Sequence, residues 1–306
     1  MASVQTQPVI QLGTEKEKSF RSKSLLQKAL YRLRHDTLTL IAIGVIILLT
    51  ILAVLAPFIS NSILQVDYTE PALRNTFAAI NSPGHVLGTD ELGRDHLARL
   101  LYGGQVSLGI GFSAAILSIV IGVTVGVVTG YYGGIVDDLI IWFITTLNSI
   151  PQLYLLLILS SVLSPGPFTL VLVLGFLGWT GTTRLVRGET FSLREREYVV
   201  AARAIGASDL RIMFLHIVPN LLSLVVITLA LGIAGLILTE SSLSFLGFGV
   251  KSPTPSWGNM LTAGLDLIRF APHLVIFPGL LIMITVLCLY IIGDGLRDAF
   301  DPKLSD

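Results

Sequence analysis

A chain of 306 residues in which 53% are apolar and 13% charged, with a mean hydropathy of +0.79, is too apolar for a soluble domain of this size. Its 20 basic and 20 acidic side chains cancel, so no overall charge points to nucleic acid and the local placement of charge becomes the informative quantity. A single cysteine, Cys288, excludes an intrachain disulfide and a multi-cysteine metal site.

The chain opens on a polar, basic tail, residues 1–37, followed by an apolar run from Leu38 to Ile59. That run, about 22 residues, is long enough to span hydrocarbon. It is also longer and further from the start than the core of a cleaved signal peptide, so it reads as a retained anchor. A loop, residues 60–105, comes next. Five further apolar stretches lie within 106–292: Val106 to Gly130, Leu139 to Leu163, Thr169 to Thr183, Leu221 to Leu238 and Leu274 to Ile292. The fourth is short for a span, which predicts a slight extension or little tilt. A short tail, residues 293–306, closes the chain. The expected fold is an all-α polytopic membrane protein with six transmembrane helices and both ends on one side.

Basic residues decide which side. The N-terminal tail carries seven (Lys16, Lys18, Arg21, Lys23, Lys28, Arg32, Arg34), the segment from Arg184 to Arg211 carries six, and the C-terminal tail adds Arg297 and Lys303. The opposite loops hold five: Arg74, Arg94, Arg99, Lys251 and Arg269. By the positive-inside rule the tails and the 184–215 segment face the cytoplasm, and the loops near 61–105 and 241–273 face outward. No internal repeat is evident, so a partner is expected to supply the other half of any pathway.

Gly111, Ala115, Ser118, Gly122, Gly126 and Gly130 recur three or four residues apart in the second span, on one helical face where backbones approach closely. Such a face serves packing within the chain or a seam between subunits. No span has a charge near its middle, since Asp137, Asp138, Glu240 and Asp294 sit at span ends. This argues against an ion-coupled carrier, which uses an intramembrane charge to relay or balance its ion. Asn148 and Pro151 in the third span, and Pro278 in the sixth, read as kinks and packing polarity. Asn148 also has the chemistry of a residue lining a transport path. Catalytic constellations are missing: none of the six lysines is preceded by glycine, as a phosphate-cradling loop requires, and there is no G-x-S-x-G or H-E-x-x-H. The five histidines are dispersed without metal-ligand spacing. An intramembrane hydrolase finds no support.

The most informative stretch runs from Leu193 to Asn220. Arg and Glu residues followed by Ala201, Ala202 and Ala204 favour a helix. Gly206 suits a left-handed cap, Ser208 can cap a second helix beginning at Asp209, and Pro219 is expected to end that helix before the fifth span. An ordinary amphipathic surface loop reads the same way from these residues alone.

This segment resembles the coupling segment, or EAA motif, of inner-membrane permeases of ABC importers. Ala201, Ala202 and Gly206 match its alanine pair and glycine, and Ile217, Pro219 and Asn220 its downstream tail. The motif's glutamate falls at Val200, so no charged contact is implied there. The segments His85 to Gly104, Glu240 to Gly249 and Gly293 to Pro302, with the basic tail and first span, are similar to the "C" permease of dipeptide, oligopeptide and nickel importers. The resemblance implies a permease subunit that carries no cofactor and is not itself an enzyme. It would sit in a prokaryotic plasma membrane among lipid, with no nucleic acid. Its implied partners are a homologous second permease, two ATP-binding subunits that hold ATP and Mg, and an extracytoplasmic solute-binding protein. The coupling helix would lie between the fourth and fifth spans, with Glu197, Ala201, Ala202, Arg203, Gly206, Ala207, Ser208 and Asp209 meeting one ATPase. Import of short peptides is the leading expectation, and import of nickel or an oligosaccharide the alternative.

Overall fold

The computed structural model describes residues 25–163 and 166–300, with side chains from residue 29. The basic residues before Leu25, and Lys303, therefore lie outside the described residues. Among the described residues the regular structure is helical, with only two isolated β-bridges besides. Helix α1 spans Leu25–Leu33 and α2 spans Thr37–Val54. Asp36 starts α2 by accepting from the amides of Leu38 and Thr39. The Thr39 hydroxyl, with these amides, holds the Asp36 carboxyl below its ordinary range. Pro57 follows within a short turn at Ala56–Phe58, and a π-turn at Ile59–Leu64 completes the exit.

Helix α3, His96–Tyr132, is then followed by α4, Gly134–Asn148, and α5, Gln152–Val162. Helix α6 spans Pro167–Arg194, α7 spans Glu197–Ala204, and α8 runs from Asp209 to Phe245. Helices α9, Trp257–Leu265, and α10, His273–Phe300, complete the set. Helices α2, α3, α6, α8 and α10 are each long and apolar enough to cross a membrane. The α4–α5 pair adds a sixth crossing if the two are counted as one.

Two expectations are corrected, and one is sharpened. The kink expected at Asn148 and Pro151 in the third apolar stretch is a break of 81° between α4 and α5. Pro151 has extended backbone there, and a proline disfavours helix in the residue before it. The fourth span is not short, because α6 continues for 28 residues through the polar stretch to Arg194. Hydropathy marked only the part suited to hydrocarbon, whereas the backbone ladder carries on past it. Pro219 does not end a helix. A π-turn at Met213–Ile217 and a 3-10 turn at Val218–Leu221 absorb its missing N–H, and α8 continues. Pro278 is likewise carried inside α10.

The core is built on α3 and α6. Thr182, Val186 and Thr190 of α6 press in turn on Gly122, Gly126 and Gly130 of α3, so the two helices run parallel. In return Leu117 and Ser118 of α3 fill the space over Gly175 and Gly178 of α6. The Thr183 hydroxyl donates to Gly122 O across the seam, at 3.2 Å. Helix α8 runs antiparallel to α3: Ile237 covers Gly111, and the Ser107 hydroxyl donates to Glu240 Oε2 at 2.9 Å. Helix α1 rests against the end of α10, which brings the first and last described helices to the same end of the bundle.

At the other end two irregular segments are tightly held. In the loop before α3, Asp90 accepts from the amides of Leu92 and Arg94 and pairs with the Arg94 and Arg99 guanidiniums. Asp95 caps α3 through the Ala98 amide and bonds His85. At the end of α8 and in the segment after it, fully buried Glu240 accepts from Ser107, Ser241 and Ser244. The Ser107 hydroxyl accepts from the Trp257 amide, and Trp257 Nε1 donates to Leu100 O at 3.0 Å. A buried carboxylate supplied with hydroxyl donors in this way fixes α9 across α3 and α8.

Candidate functional site

The bend between α6 and α8 is organised by helix ends. Arg194, in the last turn of α6, donates through Nη1 to Gly130 O at 3.1 Å and Tyr131 O at 3.4 Å. It thereby satisfies carbonyls that the end of α3 leaves open. Helix α7 follows two residues later and closes with Gly206 at φ +86°. The Gly206 amide donates to Arg203 O and the Ala207 amide to Ala202 O, each at 3.0 Å. This double closure is a Schellman cap, and it turns the chain sharply toward α8. Ser208 has the extended backbone of a cap, but its side chain makes no capping bond.

One face of α7 is anchored. Val199 and Ala202 are buried in a cluster with Val127, Tyr131, Val186, Leu193, Ile212 and Ile217, drawn from α3, α6 and α8. Asp209 accepts from the Tyr131 hydroxyl at 2.7 Å, and the Arg203 guanidinium lies over the Tyr131 ring. The opposite face is open. Glu197, Ala201 and Arg203 are exposed, as are Ile205 at the cap of α7, at 87%, Gly206 after it, and Leu210 in the first turn of α8, at 64%. The predicted residues thus divide between a buried attachment, led by Ala202, and an outward surface. One side of α7 is thus packed against three spans, and apolar residues stand exposed beside it.

The glycines of α3 lie at the seams already described: Gly111 toward α8, and Gly122, Gly126 and Gly130 toward α6. Ala115 is buried beside them. Asn148 ends α4 at the break, is exposed, and accepts from the Thr180 hydroxyl at 3.4 Å. Nearby, Asp137 at the start of α4 pairs bidentately with Arg187 of α6. The fold also brings His96 and His273 to a ring separation of 5.8 Å.

A groove of about 710 Å³ runs along α3, α6 and α8 at mid-height, with Gln152 at its edge. Its walls carry Gly178, Gly181, Gly232 and Gly235, the hydroxyls of Ser118, Thr182, Thr228 and Thr239, and Arg184. Sequence reasoning missed this feature, apart from Ala115 and Ser118, because its residues come from segments far apart in the chain. Glycines four or fewer apart in α6 and α8 were the available signal.

A bundle of membrane-length helices, with a groove that carries a few hydroxyls and an arginine at mid-height and a helix anchored at one end, is the architecture of a multi-pass permease. The family model described as "Binding-protein-dependent transport system inner membrane component" matches residues 122–306, and that of the "N-terminal TM domain of oligopeptide transport permease C" matches residues 24–79. The chain is 37% identical over 292 residues to the oligopeptide transport system permease protein OppC of Bacillus subtilis, covering 95% of this chain and 94% of that one. It is 35% identical over 294 residues to the dipeptide transport system permease protein DppC of Haemophilus influenzae, with 94% and 97% covered. The glutathione transport system permease protein GsiD of Pectobacterium atrosepticum is 40% identical over 223 residues, with 73% and 74% covered. The chain belongs to the binding-protein-dependent transport system inner membrane components, and it is a multi-pass permease.

Proposed function

We propose that this chain forms half of the transmembrane pathway of an ATP-driven importer of dipeptides and oligopeptides. The substrate class follows the relatives, which are named for oligopeptides, dipeptides and glutathione. Nickel and oligosaccharide import find no counterpart among these names. A homologous permease supplies the other half, two ATP-binding subunits hold ATP and Mg, and an extracytoplasmic binding protein delivers solute. The chain crosses the membrane six times. Helices α3 and α6 run parallel, which supports a return crossing by the α4–α5 pair between them. Both termini and α7 face the cytoplasm, where the basic residues concentrate.

The observation that carries the reading is the two-faced α7. Its buried Val199 and Ala202 tie it to α3, α6 and α8, while Ile205 at its cap and Leu210 in the first turn of α8 stand outward for an ATPase to cover. Closure of the ATPase pair on ATP would then move the spans as a lever. Asn148, exposed at the break, is a further candidate for contact with the solute. Ile205→Glu tests the reading in the assembled transporter. The outward side chain touches little of its own chain, so expression and thermal stability should stay near wild type. Co-purification of the ATPase and peptide uptake should both fall sharply. Normal uptake with the ATPase still bound would remove α7 from the coupling path.

A further inference from the structure

Two hydroxyls in the groove are left unpaired by the fold. Ser118 is 5% exposed and Thr182 is 7% exposed, yet neither makes a hydrogen bond among the described residues. Several other hydroxyls of these helices are paired internally. Thr124, Thr129, Thr190, Thr228 and Thr239 each donate to the carbonyl one turn back. Thr182 presses its Cβ and methyl group on Gly122, which turns its hydroxyl away from the α3–α6 seam, and both residues line the groove. Both hydroxyls stand at the groove wall, open to a hydrogen-bonding partner that enters it.

The walls around them are bare. Gly181, Gly232 and Gly235 have open space where a Cβ would stand, and none has a positive φ. Neither packing nor backbone conformation calls for glycine at these positions, although glycine destabilises a helix interior relative to alanine. What they provide is room. Arg184 is the charged residue in the lining, and no carboxylate accompanies it. It has no ion pair among the described residues, unlike Arg187 and Arg194 on the same helix. Helix α5 also begins at the groove, so its amide end adds partial positive charge near Gln152.

We propose that this groove is the surface along which a peptide crosses this subunit, with Ser118 and Thr182 hydrogen-bonding its backbone and Arg184 holding its C-terminal carboxylate. The proposal rests on the importer reading above. A helix of the partner permease or a lipid chain fits the groove less well. A helix has its own amides and carbonyls paired, and a lipid chain has none, so neither satisfies the two hydroxyls or Arg184. An extended peptide brings free amides, free carbonyls and a carboxylate. Contacts to backbone and terminus alone also leave side chains unread, which suits carriage of varied peptides.

The test uses the complete transporter in proteoliposomes on a Cys288→Ala background. Ser118→Cys and Thr182→Cys should react with a small maleimide, and peptide-loaded binding protein with ATP should slow that reaction several-fold. Val120→Cys, on an exposed face of α3 outside the groove, should be unaffected. Arg184→Gln should lower peptide uptake about tenfold, as expected when one charge-assisted contact is lost. Arg184→Lys should restore most of it, and both variants should retain their partners. Unchanged labelling in a transporter that moves peptide, or normal uptake by Arg184→Gln, overturns the proposal. Cysteines that react in the isolated chain but not in the resting complex would identify a subunit seam instead. If the wild-type complex moves no peptide at all, the importer reading itself falls, and this proposal with it.

Discussion

At the scale of single residues, glycine has two opposite uses in this bundle. Gly126 is required by contact: a Cβ there would stand 2.8 Å from Val186 Cβ and 2.9 Å from Thr183 O. Gly232 is not, since a Cβ there meets nothing within 4 Å. Gly126→Val should therefore destabilise the purified chain by about 1–3 kcal/mol through overpacking. Gly232→Ala should leave it unchanged or stabilise it by up to about 1 kcal/mol through helix propensity. Thermal unfolding of the two variants in one detergent checks both signs. The recurrence of small residues in α3 is plain in the sequence, as is the glycine content of α6 and α8. Which glycines meet a neighbour depends on how the helices are rotated about their axes, and no local pattern states that rotation.

At the scale of elements, the bend was the most legible part of the chain. The alanine run, the left-handed Gly206 and the turn toward Asp209 follow from local propensity, and α7 with its Schellman cap has that form. Gly206 has φ +86° and no neighbour within 4 Å of a Cβ, so a substitution there acts through backbone strain rather than collision. Gly206→Val should add about 1–2 kcal/mol of strain to that turn. Membrane insertion, which depends on the spans and their flanking charges, should stay near normal. Uptake should fall, with the ATPase either lost or hydrolysing ATP without transport. Measuring uptake and co-purification on one sample separates this from an inert surface loop, which predicts wild-type uptake. The prolines differed in legibility. Pro151 breaks its span by 81°, as its kink reading implies, while Pro219 is absorbed into α8 because a π-turn beside it takes up the lost hydrogen bond. Such a turn leaves no mark in hydropathy.

At the scale of the whole molecule, topology is the quantity to test. Asn75 and Ser208 are both exposed, at opposite ends of the bundle. On a Cys288→Ala background, Asn75→Cys should react with an impermeant thiol reagent added to intact cells. Ser208→Cys should react only after the membrane is opened. Labelling of position 208 from outside would invalidate the six-crossing arrangement and the cytoplasmic placement of α7 together.

The sequence by itself determined that this is a membrane bundle, roughly where its spans fall, and where the helix between α6 and α8 lies. These properties are set by hydrocarbon thickness, basic-residue placement and local backbone preference, all of which act over a few turns of chain. Tertiary structure alone decided the parallel pairing of α3 with α6 and the serine cage that holds Glu240 against α9. It also decided the groove that collects Ser118, Thr182 and Arg184. Each of these depends on which faces of distant helices meet. In a chain whose spans are apolar on every side, hydrophobicity does not choose among faces, so the choice falls to close packing and to the few buried polar groups that must find partners.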